Sequence, residues 1–414
     1  MNTRELSVRE QTMTLPNRQA PAVLKAADRI AVGRVVILGG DIVIFRSWLI
    51  RDLIAAGWNV TACGPEDDYQ AQAVRRLGAA YVAVPIDRTG LSARRDLASI
   101  GALVRILRSL HPDVFLSFHT KYNVVGPIAA RLAGVQRVFA LVAGLGYAFS
   151  PGAEMKRRLL RRALSCALRM SLRRCTGVFV QNEDDLALVQ AARWVSRSSN
   201  VIKLNGTGVD LDDFGYTEPS SGSLRVLLMA RLLREKGVAD YVAAARLVKL
   251  SYPDSQFTLL GPFDSNPGAI RLEDVRAWQR EGILSYAGAT HDVRPYLNAA
   301  NLFVLPSYYR EGVPKSILEA MATGRAVITC NVPGCREAVA DGSNGYLVPA
   351  RDPEALASAM MRFIAQPSLL VTMGRESRRT AEQRFDVRDV NARIIQEIGQ
   401  APRAPNRSAS PRFL

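Results

Sequence analysis

Nine residues, Glu311 to Glu319, read EGVPKSILE and set two carboxylates eight positions apart. Glycine lets the backbone approach a ligand, proline suits a first helical turn, and a helix start offers N–H groups to an anion. This spacing outlines a sugar-nucleotide site. Glu311 would lie at a loop tip beside the sugar, and Glu319, about two helical turns further on, would accept hydrogen bonds from ribose hydroxyls. A capped surface helix with an acidic flank accounts for the same spacing, since helix starts favour acids.

A second cluster precedes it. After the apolar run LRVLLMA come Arg231 and Lys236, five apart, where two cations can reach the two phosphates of a nucleotide diphosphate. Taken alone, a solvated basic loop explains them equally well. Asp210 and Asp212 stand in a metal-binding-like Asp-x-Asp, but they follow NGTG in a polar stretch, where acids cap local structure. Three scattered histidines and five cysteines without a CxxC pair give no metal-ligand cluster and no disulfide framework. No metal is expected.

The elements that must position these groups alternate along the chain. RVVILGG, NVTACGP, YVAVP, DVFLSF, RVFALV, GVFVQN and VIKLN read as strands separated by helical sequence. After GTGVDLDDFGYTEPSSGS, a linker by composition, LRVLLMA, QFTLLGP, ILSYAG, NLFVLPS, AVITC and GYLVP repeat the rhythm, again with helical sequence between them. The fold class is α/β, with two doubly wound Rossmann-like domains facing a cleft. The expected bounds are 31–209 and 222–384, with a crossover helix near 385–400 completing the first domain and disordered tails at 1–30 and 401–414. Ligands bind outside the carboxyl ends of such strands, and the Glu311 loop follows NLFVLPS.

The 414 residues are 48% hydrophobic and 22% charged, the balance of a globular enzyme. No apolar run reaches the roughly 18 residues a spanning helix needs, and the start lacks the apolar core of a signal peptide, so a cytoplasmic location is expected. The net charge of +16 is uneven: 29 basic and 18 acidic residues precede position 216, against 25 and 20 after it. Such a bias suits nucleic acid, anionic lipid or a pyrophosphate-bearing substrate. No aromatic-basic interleaving supports nucleic acid.

Taken in order and spacing, ARLLREKG, LLGPFDSNP, YAGATHDV, LPSYYREGVPKSILEAMATG and NVPGCREAVADGSNGYLV resemble the donor domain of family-4 retaining glycosyltransferases of the GT-B fold. The likeness extends upstream through FRSWLIRDLIAAGWNV, HTKYNVVGPIAARLAGV, ALVAGLGYAF, VFVQNEDD and NGTGVD. It is nearest to the bacterial branch that builds lipid-linked glycans for O-antigen, exopolysaccharide or N-glycan assembly. The resemblance implies metal-independent transfer with no cofactor, from a nucleotide sugar, commonly a UDP-hexose or UDP-N-acetylhexosamine, to a polyprenyl-diphosphate-linked saccharide. It also implies roles. Arg231 and Lys236 bind the donor diphosphate, Glu311 holds sugar hydroxyls and Glu319 holds ribose. Backbone groups of Gly312, Val313, Pro314, Lys315 and Ser316 face phosphate and sugar, and Gly39 and Gly40 let the acceptor-domain loop approach the diphosphate. His119, after DVFLSF, stands near the donor sugar or merely in a loop. Transfer to a soluble acceptor, or epimerisation of a sugar nucleotide, remains an alternative.

From Lys156 to Arg174 there are eight Lys or Arg and no acid. At 100° per residue Arg157, Arg158, Arg161, Arg162, Arg169 and Arg173 share one arc, while Leu159, Leu160, Cys166 and Met170 fall on the other. A solvated basic face over a core-packed helix is one reading. Contact of Arg157, Arg158, Arg161 and Arg162 with an anionic membrane surface, which would place the enzyme peripherally on the cytoplasmic face of the inner membrane, is the other.

Overall fold

The computed structural model describes residues 32–86, 92–150, 155–196, 199–264, 266 and 268–400. The expected tails 1–30 and 401–414 lie outside the described residues, as does position 31.

The first domain runs β1 (Gly33–Leu38), α1 (Ile42–Ala55), β2 (Trp58–Gly64), α2 (Asp68–Arg76), β3 (Ala80–Ala83), α3 (Ala93–Leu110), β4 (Val114–Phe118), α4 (Thr120–Leu132), β5 (Arg137–Val142), α5 (Met155–Leu172), β6 (Gly177–Val180), α6 (Glu183–Ala191) and β7 (Asn200–Lys203). All pairings are parallel, in the order β3-β2-β1-β4-β5-β6-β7. Helices cover both faces, so β4 and β5 are buried along their whole length and read as unbroken apolar runs.

The second domain runs β8 (Arg225–Met229), α7 (Val238–Ser251), β9 (Gln256–Leu260), α8 (Leu272–Arg280), β10 (Ser285–Tyr286), α9 (Arg294–Ala299), β11 (Leu302–Leu305), α10 (Lys315–Ala322), β12 (Ala326–Cys330), β13 (Gly345–Val348), α11 (Pro353–Ala365) and α12 (Ser368–Arg384). Its six parallel strands follow the order β10-β9-β8-β11-β12-β13. In both sheets the order reverses beside the first strand, which opens a crevice at the strand ends.

Two local expectations change. Helical sequence was expected between every pair of strands, but β12 and β13 are joined by turns. Pro333 and Gly334 interrupt any helix there, and Asn344 fixes the turn by accepting from Ala340 N–H (2.8 Å) and donating to the Ala338 carbonyl (3.0 Å). Pro314 is the residue before α10 rather than its first turn, so Glu319 stands little more than one turn into the helix.

After α12 the chain returns to the first domain as α13 (Val387–Gln400). Ile394 and Ile398 join the core beneath α1, and Asn391 donates to Asp52 at 2.7 Å. The outward and return crossings lie side by side, since Val209 N–H donates to the Phe385 carbonyl (2.8 Å) and Val387 N–H to the Val209 carbonyl (3.1 Å). No single helix among the described residues is long and apolar enough to cross a membrane.

Candidate active site

The second-domain wall of the cleft is made where the loops after β8 and β11 press together. Lys236 ends a single 3-10 turn, and Gly237 follows at φ 74° with its backbone against Pro306: a Cβ there would lie 2.1 Å from the Pro306 carbonyl oxygen. The Glu235 carbonyl accepts from Tyr308 N–H (2.9 Å) and Tyr309 N–H (3.0 Å), which ties one loop to the other. This contact buries Lys236 and directs its ammonium onto Glu311 Oε2, while Ser307 Oγ donates to Glu311 Oε1 at 2.8 Å. Glu311 is thus held by two groups on a rigid base.

Arg231 is anchored differently. It donates to Asp264 Oδ2 at 2.6 Å, and Asp264 also accepts from Asn266 N–H at 2.9 Å. Burial by itself would push the Asp264 carboxyl up, but the Asn266 hydrogen bonds and the Arg231 guanidinium outweigh it and hold the group below the usual carboxylate range. On α10, Lys315 pairs with Glu319 one turn away. Glu319 is buried and Ser316 is partly exposed. Gly312, Val313 and Pro314 are buried between the loops and α10.

The first-domain wall is built by steric fit. A Cβ on Gly39 would lie 2.3 Å from the Phe118 ring, and one on Gly40 would lie 3.3 Å from Tyr122 Oη. Both glycines sit at the exit of β1, and the Phe118 ring demands the absence of a side chain at Gly39. His119 leaves β4 at φ 68° and precedes α4, its ring edge-on to Phe118 (4.7 Å between centroids) and Phe45 (5.5 Å). Arg46, 2% exposed, stacks on the Phe118 ring at 4.8 Å and donates to the Phe45 carbonyl at 3.1 Å. Among the described residues no carboxylate pairs with it, and burial lowers its pKa to about 10.

The walls touch through the Glu311 loop itself. Gly144 forms a backbone bridge with Glu311, and a Cβ on Gly144 would lie 2.4 Å from Glu311 Cα. Gly312 abuts Gln181, whose Oε1 would be 1.8 Å from an added Cβ. Arg310 pairs with Asp185 of α6 at 2.9 Å, and Arg336 with Asp184 at 3.5 Å. On the other flank Tyr69 stacks on His291, 5.2 Å between centroids.

The structure therefore brings Lys236, Glu311, Gly312 and Ser307 together, with Arg231 and the Lys315–Glu319 pair on the same wall. Gly39, Gly40 and His119 lie on the opposite one. Ser307, Asp264, Arg310, Asp185 and Arg46 escape sequence reasoning. Ser307 was within reach, four residues before Glu311 and just after a strand. Arg310 and Asp185 are 125 positions apart, and no local pattern relates them. Asp210 caps a turn by accepting from Asp212 N–H (2.9 Å) and Asp213 N–H (3.2 Å), and Asp212 pairs with Arg388.

Helix α5 departs from its expected arcs. Arg157 is buried, and Arg161 donates to the carbonyls of Ala148 (3.0 Å) and Ser150 (3.3 Å), so these two are structural residues and not headgroup ligands. The outward face instead carries Lys156, Arg158, Arg162, Arg169 and Arg173 beside Met155, Leu159, Cys166 and Met170. The long Arg161 stem reaches sideways to cap the carbonyls of the neighbouring loop.

Comparison with known proteins gives two domain matches. Residues 43–206 match the "Glycosyl transferase 4-like domain" and residues 223–366 match "Glycosyl transferases group 1". The chain is 28% identical over 365 residues, 85% of its length and 94% of the relative's, to the N,N'-diacetylbacillosaminyl-diphospho-undecaprenol alpha-1,3-N-acetylgalactosaminyltransferase of Campylobacter jejuni. It is 26% identical over 341 residues, 78% of this chain and 83% of the relative, to the UDP-Gal:alpha-D-GlcNAc-diphosphoundecaprenol alpha-1,3-galactosyltransferase of Escherichia coli. Among solved structures it resembles sucrose-phosphate synthase from Thermosynechococcus elongatus (TM-score 0.73, 21% identity, 89% of this chain and 98% of that one). It also resembles Anabaena HepE in complex with UDP and glucose (TM-score 0.70, 18% identity, 88% and 99%). These two structural likenesses speak to the fold, which is GT-B.

Proposed function

The chain belongs to the family-4 glycosyltransferases of GT-B fold, and from that premise we propose that it moves a sugar, with retention, from a UDP-sugar to a polyprenyl-diphosphate-linked saccharide. The observation that carries this reading is the clustering of Lys236, Ser307 and Glu311 at the exits of β8 and β11, with Glu319 one helical turn behind. Both curated relatives bear names that specify a diphospho-undecaprenol acceptor and transfer of a galactose or N-acetylgalactosamine in alpha-1,3 linkage. We therefore place UDP-galactose and UDP-N-acetylgalactosamine first among donors.

In this mechanism Lys236 and Arg231 exchange their carboxylate partners for the donor diphosphate and neutralise the charge that grows on the departing UDP. Glu311, released from Lys236, accepts hydrogen bonds from the sugar hydroxyls, and Glu319 accepts them from ribose. The acceptor hydroxyl attacks from the side on which the phosphate leaves, and the departing β-phosphate oxygen takes its proton. No side chain is required as base, and His119 serves to line the sugar pocket. A metal ion has no role in this scheme.

The acceptor is a lipid, and we assign its approach to the outward face of α5. Arginine at about 1 kcal/mol each near an anionic surface, beside exposed Met155, Leu159 and Met170, suits reversible docking on a bilayer. Changing Arg158, Arg162, Arg169 and Arg173 to Gln is expected to weaken binding to phosphatidylglycerol vesicles and reduce its salt sensitivity. Changing Arg157 and Arg161 instead is expected to lower thermal stability. Vesicle binding that persists in the first, folded variant removes α5 from the docking surface.

The decisive experiment incubates the protein with radiolabelled UDP-sugars and a synthetic polyprenyl-diphosphate-linked N-acetylhexosamine, with and without excess EDTA. NMR then assigns the new anomeric bond. An alpha-linked product formed equally in EDTA is expected. Transfer to free saccharides only, or conversion of the UDP-sugar to an epimer, overturns the reading.

A further inference from the structure

Arg310 adjoins Glu311, and its backbone N–H, its carbonyl and two of its guanidinium nitrogens are held by the opposite domain. Its N–H donates to Ser150 Oγ at 2.9 Å. Its carbonyl accepts from Leu145 N–H (3.1 Å) and Gly146 N–H (2.8 Å). Its guanidinium donates through Nε (3.1 Å) and Nη2 (2.9 Å) to Asp185 Oδ1, and through Nη2 to the Asp184 carbonyl at 3.4 Å. Consecutive Cα atoms are fixed about 3.8 Å apart, so a displacement of Arg310 towards or away from Glu311 is passed on to it.

Asp185 is built to receive this arginine. Its side chain is fully buried, while that of Arg310 is 20% exposed. It lies in the first turn of α6, where Asn182 accepts from Asp185 N–H (2.7 Å) and donates to Asp185 Oδ2 (3.0 Å). The remaining oxygen is the one Arg310 takes. Removing Arg310 leaves a buried carboxylate with only Asn182 and the helix start for compensation, and this favours keeping the two domains together. Burial pushes the Asp185 carboxyl up despite Arg310 and Asn182, so an uncharged substitute there is tolerable to the fold.

Resting on the glycosyltransferase reading above, we infer that Arg310 is a positioning residue: its pairing with Asp185 couples closure of the cleft to the placement of Glu311 against the donor sugar. Lys236 and Ser307 hold the Glu311 carboxylate from the second domain, but they do not fix the loop backbone that carries it. The contact across to α6 does.

Four variants test this: Arg310→Gln, Arg310→Lys, Asp185→Asn, and Arg310→Gln combined with Glu311→Gln. Arg310→Gln and Asp185→Asn are expected to lower kcat by about ten- to hundredfold through a misplacement of order 1 Å, while the Kd for UDP, measured by calorimetry, stays within about threefold. Arg310→Lys recovers part of the loss. In the Glu311→Gln background, Arg310→Gln costs less than about threefold, because its effect is transmitted through Glu311. Effects that multiply, or a UDP Kd that rises in step with the fall in kcat, overturn the proposal.

A second readout is independent of turnover. Cys166 is exposed and the other four cysteines are buried, so a dye on Cys166 and another on Gln279→Cys in α8 report the distance between domains. Asp185→Asn is expected to shift the population towards a wider separation, and an unchanged distribution overturns the coupling. If the wild-type protein turns over no UDP-sugar, the functional reading fails while this distance measurement still decides the fate of the latch.

Discussion

The two walls of the cleft are made of different materials. On the second-domain wall Arg231, Lys236 and Lys315 each face a carboxylate, in Asp264, Glu311 and Glu319. The first-domain wall has glycines fitted against aromatic rings, a histidine at positive φ, and a buried arginine with no acid partner among the described residues. On the proposed reading the charged wall would bind by exchange: an incoming diphosphate would have to displace carboxylates already seated on its cations, so affinity would be a difference between two sets of ion pairs. On the same reading the other wall would select by shape, through backbone positions such as Gly39 that leave no room for an extra carbon.

If this contrast holds, the largest loss follows Lys236→Ala. It removes a charge-assisted bond to phosphate, worth about 1.5 to 3 kcal/mol or ten- to 150-fold, and leaves half-buried Glu311 without its cation. Arg231, with a third of its side chain exposed, is expected to cost about tenfold when changed to Ala. Near-wild-type kcat/KM in both variants, at subsaturating donor, shows that the diphosphate binds elsewhere.

Next comes the shape wall. Gly144→Ala places a methyl group against Glu311 Cα at a residue with φ 89°, so kcat is expected to drop by about tenfold or more while UDP binding is retained. A parallel loss of UDP affinity would mean that Gly144 serves the donor site directly.

The two glutamates sharpen the contrast within the charged wall. Glu311→Gln is expected to lower kcat, and Glu319→Gln chiefly to raise KM by several-fold, because ribose is remote from the reacting carbon. The reverse kinetic pattern exchanges their roles.

The smallest effect is on stability against pH. Asp264 is held below its unfolded value, so its contribution is present above about pH 4 and is lost as pH falls through the lower folded pKa. Asp264→Asn therefore lowers Tm near pH 7, by on the order of 2 °C, and the difference shrinks towards pH 3. Asp185 has the opposite sign: its folded pKa is raised, so its contribution diminishes as pH rises through that value. The Tm gap between wild type and Asp185→Asn is expected to move in favour of Asn over that range. Gaps that move together would place both carboxylates in the same kind of environment.

The strands were legible because a sheet covered on both faces needs unbroken apolar runs, and RVFALV or NLFVLPS can be little else. That Glu311 and Lys236 would stand at strand exits was legible, because open α/β sheets bind ligands there. Arg310 was not, since its meaning lies in Asp185, which local periodicity cannot reach. Helix α5 misled for a related reason: the hydrophobic pattern fixed that it is amphipathic, but the carbonyls of Ala148 and Ser150 hold Arg161 inward while Leu159 faces out.

The paired crossings at Val209 and Asp386 have a mechanical consequence. Two segments that hydrogen-bond to each other, with Gly208 so close to Val387 that a Cβ would lie 2.5 Å from its Cα, are placed like a door hung on two adjacent pins. Such a joint would resist torsion between the domains, because the two hydrogen-bonded crossings must twist together. Were the domains to part about this joint, it would bring the groups facing each other across the gap back to the same alignment.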